Sequence, residues 1–599
     1  MDKPKILVFA TGKDAELAKE LGADIVGGVE LLEQITQNQL QFDRCLSTKQ
    51  MFPNVVKIAK ILGPKGLMPS PAKGTVGDDL TKMMGETNST IKLEIRDKLD
   101  LLIGNTSWQN EKLEANIKEV MKAVFNNTNH KDSTESLKQR YNDSQPYRHV
   151  EIPSIINDSL LRKVRKEILS NLSYKRKETD IYTLNQSGDL ANLKGLKSQE
   201  LSKLESVVEL YNGIYSKEFR NFVQEITGCE PLSGEKVDMA FNNYTQGCHL
   251  LVHDDMISTR MISFILYLVD SDWEPTDGGA LELYGEKDGV PDIEPSKRID
   301  VEWNKIVFFA VEPGKSFHSV EQVVSNKERL SCQGWFHVAQ EGEEGFTTGK
   351  RNLVNSTLSE LSKAKPIDFK EFTDTHVDLK KFINEKYLQD SFLKSMSGKF
   401  VEDSAILLKD FLEPSLAKKI QHLLVERDSI FKKDTMPPHG TQSDGWKTVG
   451  PIHVQRLQIL EDKSKEPLIA ELLHFFKSKE FQKYISKISV MTITKHSINA
   501  RRFRPGLDYT LATVKECLSV TLNLSVGEWK DSFGGYQIYT SRDEGDETIY
   551  QEGGDDVLLD LPVAFNDLSI VLRDDILEFV KYVGTSAGKS RWDIECFYE

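Results

Sequence analysis

No Cys-x-x-Cys pair, no long apolar run and no basic excess occur in this chain, and each absence removes a class of protein. The six cysteines, Cys45, Cys229, Cys248, Cys332, Cys517 and Cys596, are scattered, which argues against structural zinc and against a disulfide framework. Scattered thiols suit a reducing compartment, so nucleus and cytoplasm are the expected location. Nothing approaches about 18 consecutive apolar residues, so no membrane-spanning helix is expected. The opening MDKPKILVFATG runs from a charged start straight into a strand-like segment, unlike a secretory leader. A net charge of −15 argues against a protein built mainly to grip nucleic-acid phosphates. It favours encounter with a basic partner such as a ribosomal protein, or simply serves solubility.

What is present divides into several parts, because 599 residues exceed one hydrophobic core. Residues 1–125 alternate strand and helix patterns, as in KILVFA, DAELAKELG and IVGG, and predict a small α/β segment. Residues 126–146 are polar, end in Pro146 and have linker composition. Residues 147–340 open with a helical pattern that Asn157 or Asp158 can cap and continue as short strands punctuated by glycine. Residues 341–395 look like an acidic, partly helical connector, and 396–599 form a last domain.

The chemistry centres on CHLLVHDDMISTRMISF. If this stretch ends a strand, His253 and Asp255 lie on one face and can close on a single ion. Two histidines and a carboxylate around Fe(II) leave positions open for a co-substrate and dioxygen. His318, after the strand-like Ile306 to Val311, supplies the second histidine. With 12 histidines, about one His-x-Asp arises by chance, so the surroundings carry the weight. Arg329 follows His318, and Ser331 stands two further on. On a strand both face one way and together can grip a carboxylate, which a keto-diacid co-substrate presents. The pair His249 and His253 has the spacing of two helical zinc ligands. In a strand, however, four residues span about 13 Å, so His249 reads as packed or solvent-facing.

These residues resemble the 2-oxoglutarate- and Fe(II)-dependent oxygenases, and among them the prolyl hydroxylases that act on a decoding-centre protein of the small ribosomal subunit. The motifs are Tyr244, His253-Asp254-Asp255, Tyr267, Trp273, Gly278-Gly279-Ala280-Leu281-Glu282-Leu283-Tyr284, His318 and Arg329. The resemblance covers about residues 147–599. It implies double-stranded β-helix (jelly-roll) domains with supporting helices and a triad of His253, Asp255 and His318 holding Fe(II). It also implies 2-oxoglutarate held at its far carboxylate by Arg329 with Tyr244, Tyr267 and Ser331, with dioxygen as oxidant and ascorbate alongside. The implied substrate is a prolyl residue of a small-subunit ribosomal protein, with consequences for translation accuracy or termination. No membrane partner is expected. A regulator that responds to oxygen or 2-oxoglutarate, and binds a partner without hydroxylating it, or an rRNA-binding fusion acting through the N-terminal segment, is the alternative.

A second resemblance covers the N-terminal segment. GADIVGG, the loop Gly63-Pro64-Lys65-Gly66-Leu67-Met68-Pro69, Gly74-Thr75-Val76 and the closing IKLEIRDKLDLLIG resemble the first protein of the large ribosomal subunit, which forms a mobile stalk. In that family a further part of the RNA-contacting domain precedes the equivalent of Met1. Residues 1–125 carry 17 basic and 17 acidic residues, without the basic excess of a strong RNA binder, so weak or no direct nucleic-acid binding is expected. The segment is either a fusion that tethers an oxygenase to ribosomal material or the product of two joined genes.

Residues 396–599 repeat the plan of 147–340. Ser216-Lys217-Glu218-Phe219 recurs as Ser478-Lys479-Glu480-Phe481, Trp273 with Gly278-Gly279 recurs as Trp529 with Gly534-Gly535, and Arg329-Leu330-Ser331 recurs as Arg591-Trp592-Asp593. The offsets are 262, 256 and 262. The positions opposite His253, Asp255 and His318 fall at Tyr509, Leu511 and Phe579 or Val580, so the second copy is expected to lack metal ligands and to serve structure or docking. Arg501, Arg502 and Arg504 read as an exposed basic loop that could also bind an acidic group.

Overall fold

A computed structural model describes residues 5–89 and 133–599, apart from 38, 43, 64–66, 72–73, 196, 258, 348–366, 373–375, 441–444 and 542–556. The chain divides into two units, 1–131 and 132–599. In the first, strands β1 (Ile6–Phe9), β2 (Ile25–Gly27) and β3 (Arg44–Ser47) form a parallel sheet in the order β2-β1-β3, connected through helices α1 (Lys13–Glu20) and α2 (Glu30–Thr36). Strand β1 is wholly apolar because both its faces are covered. Leu7 and Phe9 pack with Leu31 and Ile35, whereas Ile6 and Val8 pack with Ala18, Leu80 and Met84. Part of the Gly63–Pro69 loop and all of IKLEIRDKLDLLIG lie outside the described residues.

The second unit begins with helix α3 (Thr134–Asp143), capped by Ser133. A linker was expected over 126–146, but α3 buries Leu137 and Tyr141 against the oxygenase core. Two apolar side chains one helical turn apart are enough to dock this polar helix. Ten strands of one sheet then follow, besides a short hairpin at Glu286–Lys287 and Val290–Pro291: β4 (His149–Pro153), β5 (Lys175–Glu178), β6 (Tyr182–Gln186), β7 (Leu232–Tyr244), β8 (His249–His253), β9 (Arg260–Tyr267), β10 (Leu281–Leu283), β11 (Lys297–Ile299), β12 (Lys305–Ala310) and β13 (His318–Val320). The terminal strand β14 (Arg329–Val338) completes the set. They are joined antiparallel in the order β11-β10-β13-β8-β6-β7-β14-β9-β12-β4, with β5 beside β6. The sheet curls into a jelly-roll. Side chains of β9 alternate between two cores: Ile262, Phe264 and Leu266 meet helices α4 (Asp158–Asn171), α5 (Glu205–Ile214) and α6 (Lys217–Thr227), while Ile265 and Tyr267 line the interior.

The second half repeats this path strand for strand: β15 (Ala405–Leu408), β16 (Trp446–Val449), β17 (Gln455–Leu460), β18 (Lys495–Phe503), β19 (Tyr509–Val514), β20 (Cys517–Leu524), β21 (Gln537–Thr540), β22 (Val557–Leu561), β23 (Phe565–Arg573), β24 (Leu577–Val580) and β25 (Arg591–Tyr598). Its order is β22-β21-β24-β19-β17-β18-β25-β20-β23-β15, with β16 beside β17. The repeated tetrapeptide is a helix start in both halves, since Ser216 and Ser478 accept from the amides of Phe219 and Phe481. The repeated tryptophan is a brace, with Trp273 and Trp529 donating to the carbonyls of Gly278 and Gly534.

Two further expectations are corrected. Part of the 341–395 connector lies outside the described residues, but residues 370–371 pair with β18 and Phe382, Ile383 and Tyr387 enter the core of the second half. The arginines of β18 and its following turn are buried. Arg501 is gripped by Asp593 and Glu595, Arg502 lies 4.5 Å from the Trp592 ring and Arg504 chelates Asp508. Their carboxylate and ring partners come mostly from β25, about 90 residues downstream, which a local charge count cannot register.

Because α3 is part of the core, Leu137→Ala should lower the stability of the oxygenase unit by about 3 kcal/mol, as other buried leucine truncations do. Chemical denaturation of the whole chain checks this; an unchanged midpoint would mean that α3 is undocked.

Candidate active site

The site is assembled where β8 and β13 pair, His253 directly opposite His318. Each imidazole has its Nδ1 2.8 Å from a backbone carbonyl two residues earlier, Leu251 for His253 and Ser316 for His318. Carbonyls only accept, so both Nδ1 atoms carry the proton and both Nε2 atoms turn a lone pair, or a second proton, toward Asp255. Asp255 follows β8 in the left-handed region, at φ 59°, which swings its carboxylate between the rings. Oδ1 is 3.2 Å from His253 Nε2 and Oδ2 is 3.4 Å from His318 Nε2.

Burial raises a carboxyl pKa, yet the charge of His318 and the contacts with both imidazoles hold Asp255 well below the usual carboxylate range. Burial likewise opposes the charged form of His253, and Asp255 reverses that effect to raise it. One ligand atom from each of these three residues lies within 4.8 Å of the others, and among the described residues this is the one cluster able to hold a metal ion. Three convergent donors with their outer nitrogens anchored on backbone are what a 2-His-1-carboxylate centre requires.

Beside the triad, Arg329 begins β14 opposite Tyr244 and is 1% exposed. Its hydrogen bonds go to the Gly279 carbonyl (2.6 Å) and the Ser331 hydroxyl (3.3 Å), neither of which neutralises it. The guanidinium lies 4.9 Å from the Tyr244 ring and 5.0 Å from that of Tyr267. Arg329 Nη2 and the hydroxyls of Tyr244 and Tyr267 complete no hydrogen bond. A buried cation with no carboxylate partner and two phenols turned to it form a cradle for a carboxylate. Burial drives both phenol pKa values up, with Arg329 pulling the other way; Tyr267 reaches about 12. The Gly278-Gly279 turn makes room for the cradle: at Gly279, φ +74°, an added Cβ would stand 2.6 Å from Arg329 Cδ.

The sequence-identified residues His253, Asp255, His318, Tyr244, Tyr267, Arg329 and Ser331 therefore converge. His249 does not join them. It packs on Tyr582 at 4.2 Å between ring centroids, and burial holds its pKa down to about 4. The residue missed is Trp335, whose Nε1 donates to Asp255 Oδ2 at 2.9 Å, beside a longer contact from Ser263 at 3.4 Å. Its signal was present, because Arg329, Ser331 and Trp335 stand at even spacing along one strand. Arg260 stacks 3.5 Å from the Trp335 ring and is held by Asp238 at 2.7 Å. These residues wall a groove of about 640 Å³ that includes Lys175, Lys177 and Gln333.

Comparison with known proteins agrees with this geometry. Residues 239–337 match the 2OG-Fe(II) oxygenase superfamily, 374–599 match the oxoglutarate and iron-dependent oxygenase degradation C-terminal family, and 1–141 match the ribosomal protein L1p/L10e family. The prolyl 3,4-dihydroxylase OGFOD1 of Ostreococcus tauri is 37% identical over 496 residues, covering 76% of this chain and 95% of that protein. The chain belongs to the 2-oxoglutarate- and Fe(II)-dependent prolyl hydroxylases. The Xenopus laevis prolyl 3-hydroxylase OGFOD1 is 28% identical, covering 74% and 84% of the two chains. The large-subunit protein uL1 of Thermosipho africanus is 44% identical over 127 residues, covering 20% of this hydroxylase and 54% of that protein. Fe(II), 2-oxoglutarate and dioxygen are thus the hydroxylase's cofactor and co-substrates.

Because Trp335 orients the carboxylate of the triad, Trp335→Phe should weaken Fe(II) binding roughly 10- to 100-fold, the usual cost of losing an outer hydrogen bond to a ligand. Anaerobic titration checks this; unchanged affinity would reduce Trp335 to a groove wall.

Proposed function

We propose that this prolyl hydroxylase acts on a small-subunit ribosomal protein and that its first half alone does the chemistry. In this reading His253, Asp255 and His318 hold the iron, and Arg329 with Tyr244, Tyr267 and Ser331 holds the far carboxylate of 2-oxoglutarate. The observation that carries the assignment is the buried Arg329 charge without a carboxylate, next to the triad. Fe(II) with 2-oxoglutarate and dioxygen supplies the oxidising power, one oxygen atom entering the prolyl C–H bond and the other leaving in succinate, with release of carbon dioxide. The chain's own part is positional. Arg329 fixes the co-substrate by paired charged hydrogen bonds, and the two phenols donate into the same carboxylate. Trp335 and Ser263 keep Asp255 turned toward the histidines, and the groove beside Trp335 admits an extended polypeptide.

The second half keeps the fold without the chemistry. In β19 and β24, Thr513 pairs with Glu578 where His253 pairs with His318, and Thr510 pairs with Val580 where Leu250 pairs with Val320. The position opposite His253 is therefore Thr513 and not Tyr509, and the one opposite His318 is Glu578, held by Arg573. Arg591 takes the place of Arg329, but Asp593 stands where Ser331 does and closes on Arg591. Phe503 replaces Tyr244 opposite that arginine. An internal carboxylate thus fills the cradle.

A ribosomal substrate is supported by the L1-like segment carried on the same chain and by the acidic net charge of −15, which favours encounter with a basic protein. Mass spectrometry of the decoding-centre protein of the small subunit, from cells with the wild-type chain and with His253→Ala, tests this. Loss of one or two oxygen atoms in the variant is expected. An unchanged mass would move the substrate elsewhere and leave the iron site standing.

A further inference from the structure

The two jelly-rolls of the second unit share apolar clusters. Leu250, Leu251 and Val320 pack with Val454, Tyr509, Leu511 and Tyr582, and Val252 and Phe317 pack with Ile452. The second half therefore covers the outer side of β8 and β13, the strands that bring His253 and His318 together. Within this interface runs a polar chain that starts at Arg456. Arg456 on β17 has Nη1 3.0 Å from His439 Nδ1. A guanidinium only donates, so His439 Nδ1 is an acceptor and Nε2 carries the ring proton. That Nε2 lies 2.7 Å from Glu282 Oε1. The other oxygen of Glu282 accepts from the Tyr284 hydroxyl at 2.8 Å and from the Ser319 hydroxyl at 2.9 Å.

Ser319 is the residue after His318 and pairs across the sheet with Glu282, as His318 pairs with Leu283. Neighbours on a strand point to opposite faces, so His318 turns inward to the triad while Ser319 turns outward to the second half. Glu282 is 4% exposed. Burial would raise its pKa, but the contact with His439 and the two hydroxyl donors hold it below the usual range, so it is a carboxylate that accepts from the two hydroxyls at Oε2 and stands in ion-pair contact with His439 at Oε1. The His439 segment is itself anchored. The Asp434 amide donates to the Thr585 carbonyl at 3.1 Å, and Gly440 lies so close to Glu294 of the first half that an added Cβ would overlap its carboxylate.

We propose that His439 of the metal-free second half is a positioning residue for hydroxylation, setting the strand that carries His318 through Glu282 and Ser319. It touches neither substrate nor the reacting atoms. The proposal rests on the triad being the iron site. It gives the second half a defined role, that of the fixed outer wall without which β13 has one anchored face instead of two. A donor at Nε2 and an acceptor at Nδ1 are both required, and glutamine can provide both from one side chain, whereas alanine provides neither.

The test uses the full chain and Fe(II) alone, titrated anaerobically, with thermal midpoint and 2-oxoglutarate turnover measured in parallel. His439→Ala is expected to weaken Fe(II) binding about tenfold, within the range for lost outer hydrogen bonds at metal sites, and to raise the share of 2-oxoglutarate consumed without product. His439→Gln is expected to recover most of both. Ser319→Ala should weaken binding similarly, and the double variant His439→Ala with Ser319→Ala should cost little more than either alone, because both act through Glu282. Unchanged Fe(II) affinity in His439→Ala, fully additive losses in the double variant, or failure of the glutamine to restore affinity while the midpoint recovers would each overturn the proposal. A wild-type chain that binds no Fe(II) would overturn it together with the triad reading; wild-type binding with an indifferent His439 overturns this proposal alone.

Discussion

A guanidinium buried without a carboxylate is the constraint on which the catalytic half depends. Leaving a charge in a low-dielectric interior is costly unless it is paired, and Arg329 has only a carbonyl, a hydroxyl and two aromatic faces around it. In the proposed reading, a dicarboxylate co-substrate completes that arrangement. The neighbouring features fit this need: Gly279, where a side chain would run into Arg329, the phenols of Tyr244 and Tyr267 beside the guanidinium, and the terminal strand that carries Arg329, Ser331 and Trp335 on one face. The same strand thus carries the unpaired arginine at its start and braces Asp255 through Trp335 six residues later.

The second half shows what happens when that constraint is relieved internally. It has the same strand order, the same Ser-capped helix, the same tryptophan brace and the same glycine pair. One exchange, Asp593 for the serine, puts an anion beside the arginine, and Arg501 secures it with two bonds of 2.8 Å. Glu595 and the cluster of Arg573, Glu578 and Gln537 extend the pairing through the interior. Where the first half leaves Arg329 without a carboxylate, the second half has a closed network of paired charges.

How much of this was legible in the sequence depended on distance along the chain. The convergence of the triad and cradle residues could be read because Arg329 and Ser331 alternate along one strand and Asp255 stands two residues after His253. It is a left-handed turn past the end of β8, however, and not alternation, that brings the Asp255 carboxylate to the imidazoles. The repeat could be read because its offsets are nearly constant. The helix 134–143 was hidden, since its two buried residues sit in a polar segment whose average composition is that of a linker. Arg501, Arg502 and Arg504 looked like a solvated loop because their counter-charges lie mainly on the terminal strand. Trp335 could have been found by counting along the strand from Arg329, but its partner Asp255 stands 80 residues earlier. The alignment by offset placed Tyr509 opposite His253 and Phe579 or Val580 opposite His318, whereas the strand pairing selects Thr513 and Glu578.

The central claim is that one half of this chain is an iron and 2-oxoglutarate site and the other is its filled copy. Anaerobic calorimetry of the whole chain with Fe(II), followed by 2-oxoglutarate, tests it most directly. The account predicts one iron and one 2-oxoglutarate per chain, with the iron lost in His318→Ala and the 2-oxoglutarate, but not the iron, lost in Arg329→Ala. A second equivalent of either, or 2-oxoglutarate binding that survives in Arg329→Ala and disappears in Arg591→Ala, would contradict it.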